Sequence, residues 1–168
     1  MGDTVHSDID ELEDALTRAR EAVANQDLNA ALRAYEQVAS TYRGDLLPGD
    51  VYDDWFASIR AHYRSVYIDA MQRAATLLLD GNDGLSALGF VRRAIQADQL
   101  REDLYQVQMR CEIQACQRNA AIDTYFLCAQ RLSEELGLDP SAETRALYDQ
   151  ILAMEDRPVR IPFDPLSD

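Results

Sequence analysis

Two histidines and one cluster of carboxylates are the side chains of this chain best suited to acid–base or metal chemistry. His6 and His62 are far apart in sequence, and His62 falls within a predicted helix, where a solvated or packed histidine is commoner than a general base. The carboxylates of residues 50, 53 and 54 stand at a predicted helix start, where they favour the helix dipole, and their spacing matches no calcium loop. We therefore predict no catalytic residue, no metal site and no cofactor, and we do not expect an enzyme.

The cysteines are the next candidates for chemistry, and they are Cys111, Cys116 and Cys128. They form no Cys-x-x-Cys motif, their number is odd, and all three fall in predicted helices. A free cysteine in a helix usually behaves as a small buried hydrophobe, so we expect no disulfide framework. We interpret the chain as a reduced, cytoplasmic protein.

Composition and charge exclude two classes of partner. The 168 residues have 47% hydrophobic and 27% charged side chains, which are ordinary values for one globular domain. The 16 basic residues are all arginine and face 30 acidic ones, so the net charge is −14. Such a charge repels phosphate backbones, and no apolar run approaches the roughly 18 residues of a membrane span. We predict no direct binding of nucleic acid and no membrane insertion.

The elements that must position any site form a repeat. A polar turn followed by a small and an aliphatic residue recurs around Ala31, Ala87 and Ala121. The last two alanines are 34 residues apart, the tetratricopeptide period, and the first two are 56 apart, which is 34 plus a 22-residue insertion. Each unit is then a pair of antiparallel helices that must stack on its neighbours. The sequence predicts an all-α, tetratricopeptide-like right-handed array of about seven helices.

The positions of these helices follow from apolar periodicity and from stop signals. The turn at residues 25–27, the glycine- and proline-rich stretch 42–50, and the segment 81–84 separate the first four helices. Leu136, Gly137 and Pro140 mark a stop before the last one, which has Ser141 as its N-cap. We predict helices from near Ser7 to about 24, 29–41, 53–79, 85–97, 102–116, 119–136 and 141–154.

Two blocks of sequence are more specific than any periodicity. The first is Tyr42, Arg43, Gly44, Asp45, Leu46, Leu47 and Pro48 with Trp55 downstream, and the second is residues 134–148 with Gly137 and Pro140. Together they resemble the bacterial transcriptional activator domain, the tetratricopeptide-like module of the antibiotic-regulatory-protein activators. The resemblance covers roughly residues 9–152. In that family the module usually follows a basic winged-helix domain, which is not present here, so the chain resembles the regulatory half of a transcription factor.

The domain organisation follows from the resemblance and from composition. Residues 1–8 are expected to be a frayed or added start, residues 9–156 the activator-type domain, and residues 157–168 an extended tail that contains three prolines. Trp55 opens the long third helix, and we expect it to be a packing residue rather than a ligand contact. The chain departs from the family at Gln108 and Glu112, where apolar residues are usual.

Candidate contact residues lie on the helix positions that line the concave face of this kind of solenoid. They are Gln72, Gln106, Arg110 and Gln114. Plain solvation of these polar side chains is an equal alternative. A second candidate surface is the first helix, which no preceding helix covers, and we expect Leu12 and Leu16 to form a two-fold dimer face there.

The resemblance implies a regulatory function. We predict a protein-interaction or oligomerisation module of a bacterial transcriptional regulator, whose partners are a second copy, the DNA-binding domain of the parent protein, or the transcription machinery. One alternative is a free-standing adaptor that holds a peptide or protein in its groove, and another is a sensor of a small effector. An upstream winged helix in the parent reading frame would favour the regulator.

Overall fold

The computed structural model of the chain describes residues 3–42 and 54–154, with side chains over 9–42 and 57–154. These residues form helices and turns and no strand. The helices are α1 (Asp3–Ala24), α2 (Leu28–Thr41), α3 (Asp54–Asp80), α4 (Gly84–Ala97), α5 (Glu102–Gln114), α6 (Arg118–Leu136) and α7 (Ala142–Ala153).

The helices pack as successive pairs, as the repeat predicted. The most extensive contacts join α1 to α2 and α3 to α4, followed by α4 to α5 and α5 to α6. Helix α5 also touches α3 on one side and α7 on the other, so these helices lie side by side. Helix α7 covers the end of the third pair by packing on α5 and α6. The all-α array of antiparallel helix pairs is confirmed.

The turns between paired helices repeat one backbone geometry. Gln26, Asn82 and Cys116 all adopt left-handed conformations, with φ of 59°, 63° and 59°. The last two are 116 − 82 = 34 residues apart, which is the predicted period. The left-handed backbone conformation costs asparagine less free energy than it costs most other L-residues. At Gln26 and Cys116, the packing of the helix pairs therefore offsets this cost.

Small residues sit where the helices approach most closely. The signature residues Ala31, Ala87 and Ala121 have no exposed surface. The residues seven positions later are also fully buried, and they are Val38, Ala94 and Cys128. A small side chain lets two helix backbones come close, so these positions establish the register of each pair.

Side-chain caps begin three of the helices. Asp27 Oδ1 accepts a hydrogen bond from the Ala30 amide at 2.9 Å, and Asp83 Oδ1 accepts one from the Ser86 amide at 3.0 Å. Ser141 caps α7, as predicted, by accepting from the Thr144 amide. Each cap satisfies an amide that the helix leaves unpaired. The third pair has Gln117 at this position and makes no side-chain cap.

The ends of the helices differ from the prediction in two places. Helix α1 begins at Asp3 rather than near Ser7, because no helix breaker intervenes and carboxylates favour an N-terminal turn. Helix α5 ends at Gln114 rather than near 116, and Cys116 lies in the left-handed turn. Cys116 is therefore exposed, which corrects its prediction as a buried residue.

The resembling blocks can be placed only in part. Tyr42 stacks on Tyr67 of α3 with ring centroids 4.2 Å apart. Gly137 ends α6 in the left-handed conformation at φ 66°, as the stop signal predicted, and Pro140 is buried. Residues 43–48, the side chain of Trp55 and the tail from residue 155 lie outside the described residues.

The lengths and hydropathies of the helices bear on whether any of them could span a membrane. Within residues 3–42 and 54–154, none has both the length and the apolar character needed to cross a bilayer.

Candidate partner-binding groove

Gln72, the first of the predicted contact residues, belongs to a hydrogen-bonded network that joins α3 to the start of α5. Its amide donates to Asp103 Oδ2 at 3.0 Å and its carbonyl accepts from Arg101 Nη2 at 2.9 Å. Arg101 also pairs with Asp103 at 2.6 Å and with Asp69 at 2.8 Å. Burial alone would raise the pKa of Asp103, but hydrogen bonds from Arg101 and Gln72 hold that pKa below its usual value.

Gln106 and Gln114 are used in the same way. Gln106 Nε2 donates to Thr144 Oγ1 of α7 at 2.8 Å. Gln114 Nε2 donates at 2.9 Å to the carbonyl of Leu79 near the end of α3, which also accepts from the Asn82 amide at 3.0 Å. The three glutamines therefore connect the first helices of successive pairs. These hydrogen bonds account for glutamine at the three positions without any need for a partner protein.

Arg110 differs from the three glutamines. It is exposed, and it makes no hydrogen bond or ion pair with any described residue. Of the four predicted contact residues, it alone keeps its full binding capacity for another molecule. Its role as a contact stays a prediction.

The predicted dimer face requires a correction. Leu12 has no exposed surface and Leu16 is 8% exposed, because both face the core of the single chain. Helix α1 is amphipathic, and packing on α2 covers its apolar side. Leu12 and Leu16 are therefore not an uncovered surface, and self-association would need other residues.

An open groove lies between α1 and α3. We call it the α1–α3 groove, and it consists of three adjoining depressions of about 110, 250 and 330 Å³. Leu16, Arg20 and Val66 are shared by two of them, and Tyr35 and Arg73 by another two. Of the residues predicted to contact a partner, Gln72 lines this groove.

The basic and acidic residues of the α1–α3 groove differ in whether they have a partner within the chain. Arg20 of α1 and Arg73 of α3 are exposed on its two walls and form no ion pair or hydrogen bond with a described residue. The acidic residues beside them are occupied, because Asp69 is paired with Arg101 and Glu13 Oε1 accepts from Tyr63 Oη at 2.8 Å. Burial and this hydrogen bond raise the pKa of Tyr63 to about 12.

Tyr35 of α2 forms part of the groove floor. Its side chain is almost entirely buried, and it makes no hydrogen bond with a described residue. Burial raises the pKa of the Tyr35 hydroxyl, while the positive charges of Arg73 and Arg20 lower it. The hydroxyl is thus a hydrogen-bond donor placed within the field of both guanidinium groups.

Sequence reasoning missed Arg20, Arg73 and Tyr35. The two arginines lie on first helices, where contact residues were expected, but each is one arginine among 16 in the chain. Tyr35 stands on a second helix and matches the apolar stripe of α2. No periodicity separates an arginine that faces a groove from one that faces bulk water.

A second polar network lies away from the α1–α3 groove, around Gln108 and Glu112. Glu112 is 1% exposed and accepts hydrogen bonds from Gln108 Nε2 at 2.7 Å and Thr124 Oγ1 at 2.8 Å. Arg92 approaches the carboxylate to 3.8 Å from the surface. These residues lie between the third pair's two helices, so they satisfy one another inside the fold.

Comparison with known proteins identifies relatives of the whole array. A family model described as the bacterial transcriptional activator domain matches residues 7–152. The transcriptional regulatory protein MoaR1 of Mycobacterium tuberculosis is 26% identical over an alignment of 168 positions that covers 99% of this chain and 51% of that protein. The chain therefore spans about half the length of this curated relative.

Two solved structures share the fold. Mycobacterium tuberculosis EmbR, in complex with a low-affinity phosphopeptide, has a TM-score of 0.71 and 18% identity over 86% of this chain and 38% of that one. The TPR2B domain of yeast Sti1, in a pHsp70 complex, has a TM-score of 0.57 and 15% identity over 84% of this chain and 96% of that one. At these identities the likeness concerns the tetratricopeptide-like fold alone.

Proposed function

The chain belongs to the bacterial transcriptional activator domain family, and on that premise we propose that it is the regulatory protein-interaction module of a bacterial transcriptional regulator. The observation that carries the proposal is the family match over residues 7–152, which includes all three helix pairs and most of α7. Both the family and the fold are those of regulatory proteins rather than enzymes.

The shape of the molecule supports a binding role. The array leaves an open groove whose two walls carry arginines without a partner among the described residues. An exposed aromatic cluster adds a second surface on α6 and α7, where Tyr125 and Tyr148 stack at 4.0 Å and Phe126 is 55% exposed. Exposed aromatic side chains are common in protein interfaces.

Three partners are compatible with this role: a second copy of the chain, the DNA-binding domain of the regulator, and the transcription machinery. The net charge of −14 is complementary to a basic DNA-binding domain and unfavourable for DNA itself. We therefore propose that the module acts on DNA-bound protein in the cytoplasm and does not touch the duplex. An adaptor for a free peptide remains the alternative, and the α1–α3 groove is the observation that favours it.

A tethering assay tests the regulatory role. The chain is fused to an unrelated DNA-binding domain whose operator lies upstream of a reporter promoter in bacterial cells. We expect transcription to change at least about threefold relative to the DNA-binding domain alone, since recruitment raises the local concentration of the module at the promoter. The same fusion with a mutated operator is the control. An unchanged reporter at equal protein levels would contradict recruitment of the transcription machinery.

Self-association is a separate prediction with its own measurement. We expect a two-fold dimer whose stability increases with added salt, because the net charge of −14 makes two copies repel each other at low ionic strength. Light scattering at increasing protein concentration, in low and in moderate salt, measures the mass. A monomeric mass at high concentration and moderate salt would exclude the dimer and leave the other two partners.

A further inference from the structure

We propose that the α1–α3 groove binds an acidic peptide segment of a partner protein, whose carboxylates are held by Arg20 and Arg73 and accept a hydrogen bond from the Tyr35 hydroxyl. The inference rests on the proposed function and names the chemistry of one partner. It is carried by four features of the groove: two cations without a partner among the described residues, a tyrosine hydroxyl beside both of them, apolar residues on its walls, and acidic neighbours that already have a partner.

Arg20 and Arg73 are distinguished by sharing one depression. Other exposed arginines also lack an ion pair with a described residue, and they are Arg33, Arg64 and Arg110. With 30 acidic side chains for 16 arginines, an exposed arginine has many possible partners, and Arg93 and Arg101 each pair with a carboxylate at 2.8 Å. Arg20 and Arg73 line the same depression from opposite helices and pair with no described residue. Two guanidinium groups that line one depression repel each other, and a carboxylate bound by both would reduce this repulsion and accept their hydrogen bonds.

The Tyr35 hydroxyl provides independent evidence. Its side chain is 3% exposed, yet the hydroxyl has no hydrogen-bond acceptor among the described residues. Of the two other buried tyrosines, Tyr105 donates to the Gln99 carbonyl at 2.9 Å and accepts from Arg131 at 2.6 Å, whereas Tyr67 also makes no hydrogen bond with a described residue. The Tyr35 hydroxyl oxygen is not itself a buried atom, so it opens into the groove and can donate to an acceptor that enters there.

The remaining surface suits a peptide. Val66 lies where two of the depressions meet, and Val23 and Leu77 line the third, so apolar side chains of an extended segment can pack beside the carboxylates. Of the two acids that line the groove, Asp69 is paired with Arg101, and Glu13 accepts a hydrogen bond from the neutral Tyr63. A short segment also brings little charge near the rest of the acidic surface, whereas a nucleic acid would be repelled along its length.

The experiment is a selection from displayed random dodecapeptides, followed by fluorescence anisotropy of the best binder. We expect the wild-type chain to enrich sequences that contain aspartate or glutamate beside an aliphatic residue. The double variant Arg20→Gln/Arg73→Gln should bind the selected peptide at least about 30-fold more weakly, since each charge-assisted contact contributes roughly tenfold or more. Raising the salt concentration should weaken wild-type binding.

A matched control removes the same charge elsewhere. Arg33 and Arg64 are also exposed and line none of the three depressions, so Arg33→Gln/Arg64→Gln should retain wild-type affinity. Tyr35→Phe keeps the buried ring and should lose about three- to tenfold. Circular dichroism and thermal unfolding verify that each variant is folded.

Several results would overturn the inference. They are enrichment of neutral or basic peptides, no enrichment at all, binding restricted to phosphorylated peptides, and equal loss in the control double variant. The tethering assay separates this failure from that of the proposed function. If the fusion still changes transcription while the selection yields no acidic peptide, the groove inference falls and the regulatory role stands.

Discussion

Replacing Glu112 by alanine is expected to lower the free energy of unfolding by about 3 kcal/mol. The carboxylate is buried and accepts hydrogen bonds from Thr124 and Gln108 at 2.8 and 2.7 Å. Its removal leaves both donors without this acceptor and opens a cavity between α5 and α6. Arg92 contributes little to the balance because it is exposed and 3.8 Å away. Urea unfolding followed by circular dichroism measures the change.

Two further variants test the cause of this loss. Glu112→Gln preserves the shape and one acceptor, so it should cost about 1 kcal/mol. The triple variant Gln108→Leu/Glu112→Met/Thr124→Val replaces the whole network by apolar side chains of similar size and should regain most of the stability. If Glu112→Ala and wild type unfold at the same urea concentration, the carboxylate is not held as the structure shows.

Gly84→Ala is expected to destabilise the chain by about 2–3 kcal/mol, because helix α4 begins in contact with α5. A Cβ atom at Gly84 would lie 2.5 Å from the carbonyl oxygen of Cys111 and 2.9 Å from Cβ of Gln114. The first of these is a backbone atom and cannot rotate away, so α4 and α5 would have to separate. The thermal midpoint and urea unfolding both measure the effect.

Gly89 of the same helix is the matched control. A Cβ atom there would meet nothing within 4 Å, so Gly89→Ala should stabilise the chain by about 0.5–1 kcal/mol through the lower entropy of the unfolded state. Opposite signs for the two alanines would support the close approach at Gly84. A stabilising effect at both positions would contradict it.

The sequence alone predicted the array closely. The bounds of α2 to α7 agree with the predicted helices within about two residues, and the alanines at 31, 87 and 121 are buried where the repeat places them. These features are encoded locally. A cap such as Asp27 or Ser141 acts on an amide three residues away, and an apolar stripe needs only its own helix to be recognised.

The sequence alone did not show which polar side chains form hydrogen bonds within the fold and which face water. Gln72, Gln106 and Gln114 recur at helical positions where a contact was expected, yet each spans to a neighbouring helix. Leu12 and Leu16 were expected to be uncovered, yet both belong to the core of the single chain. Whether such a side chain faces a helix or water depends on how closely the pairs stack, which no single helix specifies.

The chain by itself therefore determined its helices, their pairing and its family, because each depends on short-range spacing and on motifs within one segment. The tertiary structure alone decided the candidate site. Arg20, Tyr35 and Arg73 come from three different helices, and they meet only because α1, α2 and α3 pack at one particular distance and rotation. Their shared groove is a consequence of packing between elements, and sequence spacing carries no measure of that packing.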